Sequence, residues 1–290
     1  MVRKAAVAGY FYPGRERELR QMIKELFYSE AGPHGKEEEL TKWKEVSGVV
    51  SPHAGYIYSG AVACWSFYSL SLASPVDTIV IIGPNHRGAG KRVALSDADF
   101  WETPLGEVAV DLEAVEFLAS HYPLFSPDSR AHQLEHSVEV QIPFLQYFLP
   151  YPFQIVPVTV WDQTLEVALE ISQAVQELSR KRKIAVVASS DFSHYEPARI
   201  AEAKDGHALS CIVSLQSEEF YRVIRRENIS ICGPAGIAAL MEYHKRRSQE
   251  EGKLLFYSHS GKASGDYQEV GGYDSLIFPV TAELKQVSYP

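Results

Sequence analysis

Thr78-Ile79-Val80-Ile81-Ile82-Gly83-Pro84-Asn85-His86 is five β-branched residues that run into a turn carrying a histidine. Two other stretches repeat the design: Val46 to Val50 leads into Ser51-Pro52-His53, and Ile184 to Ala188 leads into Ser189-Ser190-Asp191-Phe192-Ser193-His194. Such short apolar runs read as strands buried on both faces, which is the condition of a parallel sheet covered by helices. In an open α/β sheet, ligands bind outside the carboxyl ends of the strands, so three strands ending this way deliver their imidazoles to one edge.

The rest of the chain fits that frame. Helical spacing recurs at residues 15–27, 60–73, 111–121, 136–149, 164–181, 201–226 and 234–247, and strand character at 92–96, 108–110, 154–160, 183–188, 254–257 and 275–280. Strands alternating with helices predict a three-layer α/β/α sandwich around a mostly parallel sheet, formed by residues 1–290 as a single domain. Residues 30–45 mix turn formers with alternating charges and read as a solvated surface connection.

Composition excludes several function classes. A net charge of −9 disfavours nucleic acid or an anionic membrane as the principal partner. The amino-terminal segment lacks the apolar core of a signal peptide, no apolar run is long enough to span a bilayer, and the chain reads as cytoplasmic. Three cysteines, Cys64, Cys211 and Cys232, are too few and too scattered for a disulfide framework.

Each cluster carries its own chemistry. Pro52 fixes its own φ and restricts Ser51, so His53 sits on a stiff elbow, and Gly83-Pro84 repeats the device for His86. A lone loop histidine is commonly no more than a turn residue; the pair shifts the balance. Asp191 offers a carboxylate to orient an imidazole, ligate a metal or accept a proton, or else a turn cap. His194, three residues on, has the unperturbed pKa suited to acid/base work, with a plain surface residue as the alternative. His132-Gln133-Leu134-Glu135-His136-Ser137-Val138-Glu139 brings two histidines and two glutamates to the start of a predicted helix, without the His-Glu-x-x-His pattern of zinc proteases. Cys232 precedes Gly233-Pro234, where a helix begins, and a positive helix terminus favours a thiolate. Cys64 and Cys211 read as core residues.

Taken together, Ala8-Gly9-Tyr10-Phe11-Tyr12-Pro13, Ser51-Pro52-His53-Ala54-Gly55-Tyr56, Tyr58-Ser59-Gly60, Gly83-Pro84-Asn85-His86, Thr103-Pro104-Leu105-Gly106, Glu135-His136-Ser137 with Glu139, Ser189 to His194 and Cys232-Gly233 resemble, in order and across nearly the whole chain, the Memo family, also called AmmeMemoRadiSam system protein B. That family is similar in fold to class III extradiol dioxygenases, non-haem Fe(II) enzymes. The resemblance implies a metal site of His53, His86 and Cys232, with His194 matching the acid/base histidine and His136 a further pocket histidine. Cysteine at the carboxylate position puts ring cleavage in doubt and widens the metals to Fe(II), Cu(I)/Cu(II) and Zn(II). Animal members bind phosphotyrosine peptides. Phe11 replaces their Trp and Pro234-Ala235-Gly236 their Arg-His-Pro, so that role is not carried over.

Two function classes remain, with a third behind them. The first is a metal-dependent, dioxygenase-like redox protein acting on an unidentified small molecule, with His194 moving protons and Asp191 or His136 in support. The second is a non-catalytic pocket for a peptide or protein, and the third a zinc hydrolase.

Overall fold

The computed structural model describes residues 1–281. Its main sheet has eight strands in the order β10-β11-β2-β9-β3-β8-β4-β7: β2 (Val46–Ser51), β3 (Thr78–Pro84), β4 (Val93–Leu95), β7 (Phe125–Pro127), β8 (Gln154–Val160), β9 (Ile184–Ser189), β10 (Lys253–His259) and β11 (Gly272–Pro279). The four central strands, β2, β9, β3 and β8, are mutually parallel, β11 and β4 flank them antiparallel, and β10 and β7 form the edges. A small second sheet joins β1 (Val2–Arg3), β5 (Phe100–Thr103) and β6 (Gly106–Ala109).

Every residue of β2, β3 and β9 is buried, which explains why these strands are continuous apolar runs instead of alternating ones. Each fully buried Val or Ile stabilises the fold by roughly 1.5–3 kcal/mol relative to exposure, so covering both faces makes these strands the centre of the core. One covering layer holds α1 (Glu16–Tyr28), α3 (Tyr56–Ser71) and α6 (Ile142–Phe148). Packed against the opposite face are α7 (Leu165–Ser179), α8 (Ala198–Val213), α9 (Ser217–Glu227) and α10 (Pro234–Arg246). Short helices α2 (Glu37–Leu40), α5 (Ser129–His132) and α11 (Gly261–Ser264) lie in connections, and α4 (Leu112–His121) packs beside β7 and β8. This is the α/β sandwich that the sequence predicts. Among the described residues, no helix is long and apolar enough to cross a membrane.

Three local expectations need correction. The helix expected over 136–149 begins only with a 3₁₀ turn at Glu139–Gln141, followed by α6. The Glu135 carboxylate accepts the backbone N–H groups of His136 and Ser137 (both 2.9 Å), which holds them in a turn outside the helix. The long helix expected over 201–226 is two, because Leu215 takes φ 54° between α8 and α9 and its side chain is buried there. Residues 30–45 are not wholly solvated: Leu40 is buried on α2.

Candidate metal centre

The crevice lies where β2, β9 and β3 end side by side. His53 follows β2 and His86 follows β3, with ring centroids 5.1 Å apart; the Cys232 Sγ lies 3.1 Å from His53 Nε2. One donor atom from each of His53, His86 and Cys232 falls within 4.8 Å of the others, a grouping that could hold a metal ion. Gly83 lets the Ser137 turn pack against the end of β3, since a Cβ there would stand 2.5 Å from Ser137 Oγ.

Hydrogen bonds fix which ring nitrogens face the crevice. Ser189 spends its one hydroxyl proton on the Ser137 carbonyl (2.6 Å) and accepts from Gln141 Nε2 (2.9 Å). At 2.8 Å from His53 Nδ1 it therefore accepts again, so Nδ1 carries the proton and Nε2 presents a lone pair toward Cys232. His86 Nδ1 lies 2.9 Å from Glu135 Oε1, and a carboxylate only accepts, so Nε2 of His86 is likewise the free nitrogen. Glu135 also accepts the His86 backbone N–H at 2.6 Å, fixing the residue at both ends. Such carboxylate–imidazole pairs fix tautomer and ring orientation around metals.

Burial holds His53 well below its ordinary pKa, with the charges of His136, His86 and His194 adding to the effect, so its ring is neutral at pH 7. His136 is lowered to about 4, again chiefly by burial; it stacks on His86 at 4.6 Å and packs against Phe11 at 4.5 Å. Burial pushes the Glu135 carboxyl up, but the His86 hydrogen bond, the neighbouring imidazoles and the Ser137 N–H outweigh it and bring it to about 2. Because His136 is neutral at pH 7, hydrogen bonding rather than an ion pair with that ring maintains this state.

Cys232 departs from the sequence reading. Its location just before α10 suggested a stabilised thiolate, but burial, reinforced by the Asp191 charge, raises the thiol well above its ordinary value. The Asp191 N–H reaches the sulfur at 3.2 Å without reversing that shift. All three cysteines are free thiols.

Asp191 serves first as a backbone anchor. Its Oδ1 accepts the N–H groups of His53 (2.7 Å) and Ala54 (3.3 Å), while Oδ2 stays 3.9 Å from His53 Nε2. Burial raises its carboxyl, against these two bonds. His194 is partly exposed; its N–H donates to Ser230 Oγ (2.8 Å), and Nδ1, 2.9 Å from the Ser230 carbonyl, must hold a proton, which leaves Nε2 free. His194 supplies no atom to the His53–His86–Cys232 cluster. Glu135 and His136 form a second close group with His86, but the Glu135 oxygens are already taken by four N–H donors. His132 is buried under Trp101 at 5.6 Å, away from the cluster.

Sequence reasoning missed Ser189 and Gln141 as the partners that orient His53, and Arg3 as the partner of Glu139. Glu139 is fully buried and accepts from Arg3, the N–H groups of Ala6 (2.8 Å) and Val7 (3.0 Å), and the Tyr12 hydroxyl (2.6 Å). That knot ties down the amino-terminal arm that places Phe11 against His136. A cleft of about 560 Å³ near Val46, Val76 and Ile184 lies at the amino ends of the strands and holds none of these groups, so chemistry rather than volume marks the crevice.

A sheet that gathers two imidazoles and a thiol at its carboxyl edge, each imidazole locked in one tautomer, defines an α/β protein with a candidate soft-metal centre. The chain belongs to the Memo-like family, whose description, "Memo-like protein", matches residues 3–277. Similar proteins, each called a MEMO1 family protein, come from Pyrobaculum arsenaticum (43% identical, covering 96% of this chain and 99% of that one), Desulfurococcus amylolyticus (41%, 95% and 98%) and Nitrosopumilus maritimus (39%, 96% and 100%). The fold is also that of an uncharacterised protein from Escherichia coli K12, whose crystal structure aligns with TM-score 0.56 at 10% identity, over 81% of this chain and 100% of that one.

Proposed function

We propose that the crevice binds a transition metal, Fe(II) or copper in preference to zinc, through His53 Nε2, His86 Nε2 and Cys232 Sγ, and serves a redox reaction on a small molecule. The observation that carries this reading is the pair of oriented imidazoles beside one thiol: His53 Nε2 stands 3.1 Å from Cys232 Sγ, and His86, its Nδ1 held by Glu135, brings a donor atom within 4.8 Å of both. A metal needs neutral imidazoles, and burial keeps His53 neutral at pH 7 in advance. The thiol is protonated when free, so cation binding releases a proton and strengthens as pH rises. When bound, the ion would supply electron transfer and open positions for small ligands.

The chain's own residues do the rest. Asp191 holds the His53 elbow through two backbone bonds. His194 keeps its Nδ1 proton on the Ser230 carbonyl, so a proton is taken up or given back at Nε2. Phe11 and His136 form one wall of the crevice, the latter as a neutral ring. Exposed Ile57 and Tyr58 after β2 and Tyr195 after β9, with exposed Tyr10 on the amino-terminal arm, favour a second reading, a pocket that docks a peptide.

Parallel metal titration and O₂-uptake assays on the parent and the His194→Ala variant separate the two. The redox reading expects unchanged metal stoichiometry and turnover lowered by roughly 10²- to 10⁴-fold, the range of a positioned proton-transfer group. Metal-loaded parent protein that neither consumes O₂ nor changes its spectrum with catechol contradicts it and favours docking.

A further inference from the structure

Behind the crevice lies a buried acid that the site above does not use. Asp205 sits in the middle of α8, wholly buried, where an unpaired carboxylate is costly. It is not unpaired: Oδ1 accepts both the N–H (3.0 Å) and the hydroxyl (2.6 Å) of Ser193, and Oδ2 accepts from Tyr257 on β10 (3.2 Å). Ser193 is the residue before His194. Its carbonyl accepts the Gly272 N–H (2.8 Å), and Phe192 donates to the Gly272 carbonyl (3.0 Å), so β11 holds both residues while α8, through Asp205, holds Ser193.

Gly272 is what lets Asp205 reach them. A Cβ at position 272 would stand 2.0 Å from Asp205 Oδ2, so any other residue would push the carboxylate away from its donors. A second buried acid, Asp274 on β11, has no hydrogen-bond partner on either oxygen among the described residues. Burial, and then the like negative charge of Asp205, push the Asp274 carboxyl well above its ordinary range. Burial raises Asp205 itself only to about 6, because the Ser193 and Tyr257 donors hold it down.

We propose that Asp205 is a positioning residue for His194: admitted by Gly272, its carboxylate fixes Ser193 and so sets the His194 ring over the crevice. The inference rests on the reading of His194 as the proton-transfer group, but its test does not. Backbone hydrogen exchange at Ser193 and His194 is followed in metal-free parent protein and in Asp205→Ala, Asp205→Asn and Ser193→Ala variants. Loss of a hydrogen bond to a charged acceptor speeds local exchange by roughly tenfold or more. The account expects that acceleration at both amides in Asp205→Ala, unchanged amides along β9, and faster acylation of His194 by diethyl pyrocarbonate. Asp205→Asn, which retains an acceptor for Ser193, restores most of the protection, a rescue that a merely space-filling role would not show. Ser193→Ala removes only the hydroxyl bond and gives a smaller acceleration at the same two amides, which decides the matter if Asp205→Ala does not fold. Parent-like exchange at Ser193 and His194 in either alanine variant, or equal acceleration along β9, overturns the proposal. Inactivity of metal-loaded parent protein would instead count against the redox reading and leave the positioning result standing.

Discussion

Replacing Glu135 by Gln puts an NH₂ group where every neighbour is a donor. The two carboxylate oxygens accept from the backbone of His86 at one side, and from the His86 ring, His136 and Ser137 at the other. Whichever way the amide turns, at least one buried N–H meets another N–H, and the charge is gone. A carboxyl brought from its ordinary 4.5 to about 2 carries roughly 3 kcal/mol of stability at pH 7, at about 1.4 kcal/mol per tenfold in proton affinity. The side chain is wholly buried, so solvent screening does not reduce that figure. A Gln that retains some of the hydrogen bonds should cost about 2–4 kcal/mol. Because the folded carboxyl is depressed, this stability is present above pH 4.5 and is lost as pH falls through about 2. Denaturant unfolding of parent and variant from pH 7 down to pH 2 should therefore show a gap that closes toward acid. Metal titration should show affinity reduced by roughly 10- to 100-fold, the usual effect of losing a partner that orients a ligating histidine. A variant with the parent's midpoint at pH 7 and metal affinity within about twofold of the parent's would refute the view that Glu135 sets the His86 tautomer.

Two further outcomes follow from the buried acids. Asp274→Asn should stabilise the protein at pH 7: the folded carboxyl titrates well above 3.8, so the group costs stability as pH rises past 3.8, and the amide removes that cost. Unfolding midpoints of the two proteins should converge below about pH 4. Glu139→Gln leaves the buried Arg3 guanidinium without its counter-charge and should cost about 3–5 kcal/mol, with earlier proteolysis of the amino-terminal arm; an unchanged unfolding midpoint contradicts the clamp.

The sheet was legible because strands buried on both faces are written as unbroken β-branched runs, and Thr78 to Ile82 is such a run. The edge on which the candidate residues gather was legible too, since chain direction in a parallel sheet sends the residues after β2, β3 and β9 to one side. What escaped reading is non-local. Glu135 stands 49 residues from His86, and its hydrogen bonds to His136 and Ser137 override the helical spacing that Val138, Ile142 and Leu145 suggest. The break at Leu215 likewise has no Gly or Pro to announce it. Local context misled outright at Cys232, where turn formers before a helix suggested a thiolate; loss of solvation, a tertiary property, dominates instead. Asp205 looks like an ordinary polar residue on an amphipathic helix until Gly272, 67 positions on, is seen to make room for it.

Elemental analysis of protein reconstituted anaerobically with Fe(II) or Cu(I), set beside the Cys232→Ala variant, tests the central claim most directly. The account predicts one metal per chain in the parent and loss of that metal in the variant. Folding should be retained at a cost on the order of 1 kcal/mol, since Cys232 stands at the crevice edge and, unlike Cys64 and Cys211, is not part of the hydrophobic core. Parent protein that takes up no metal, or a Cys232→Ala variant that keeps a full equivalent, would contradict it.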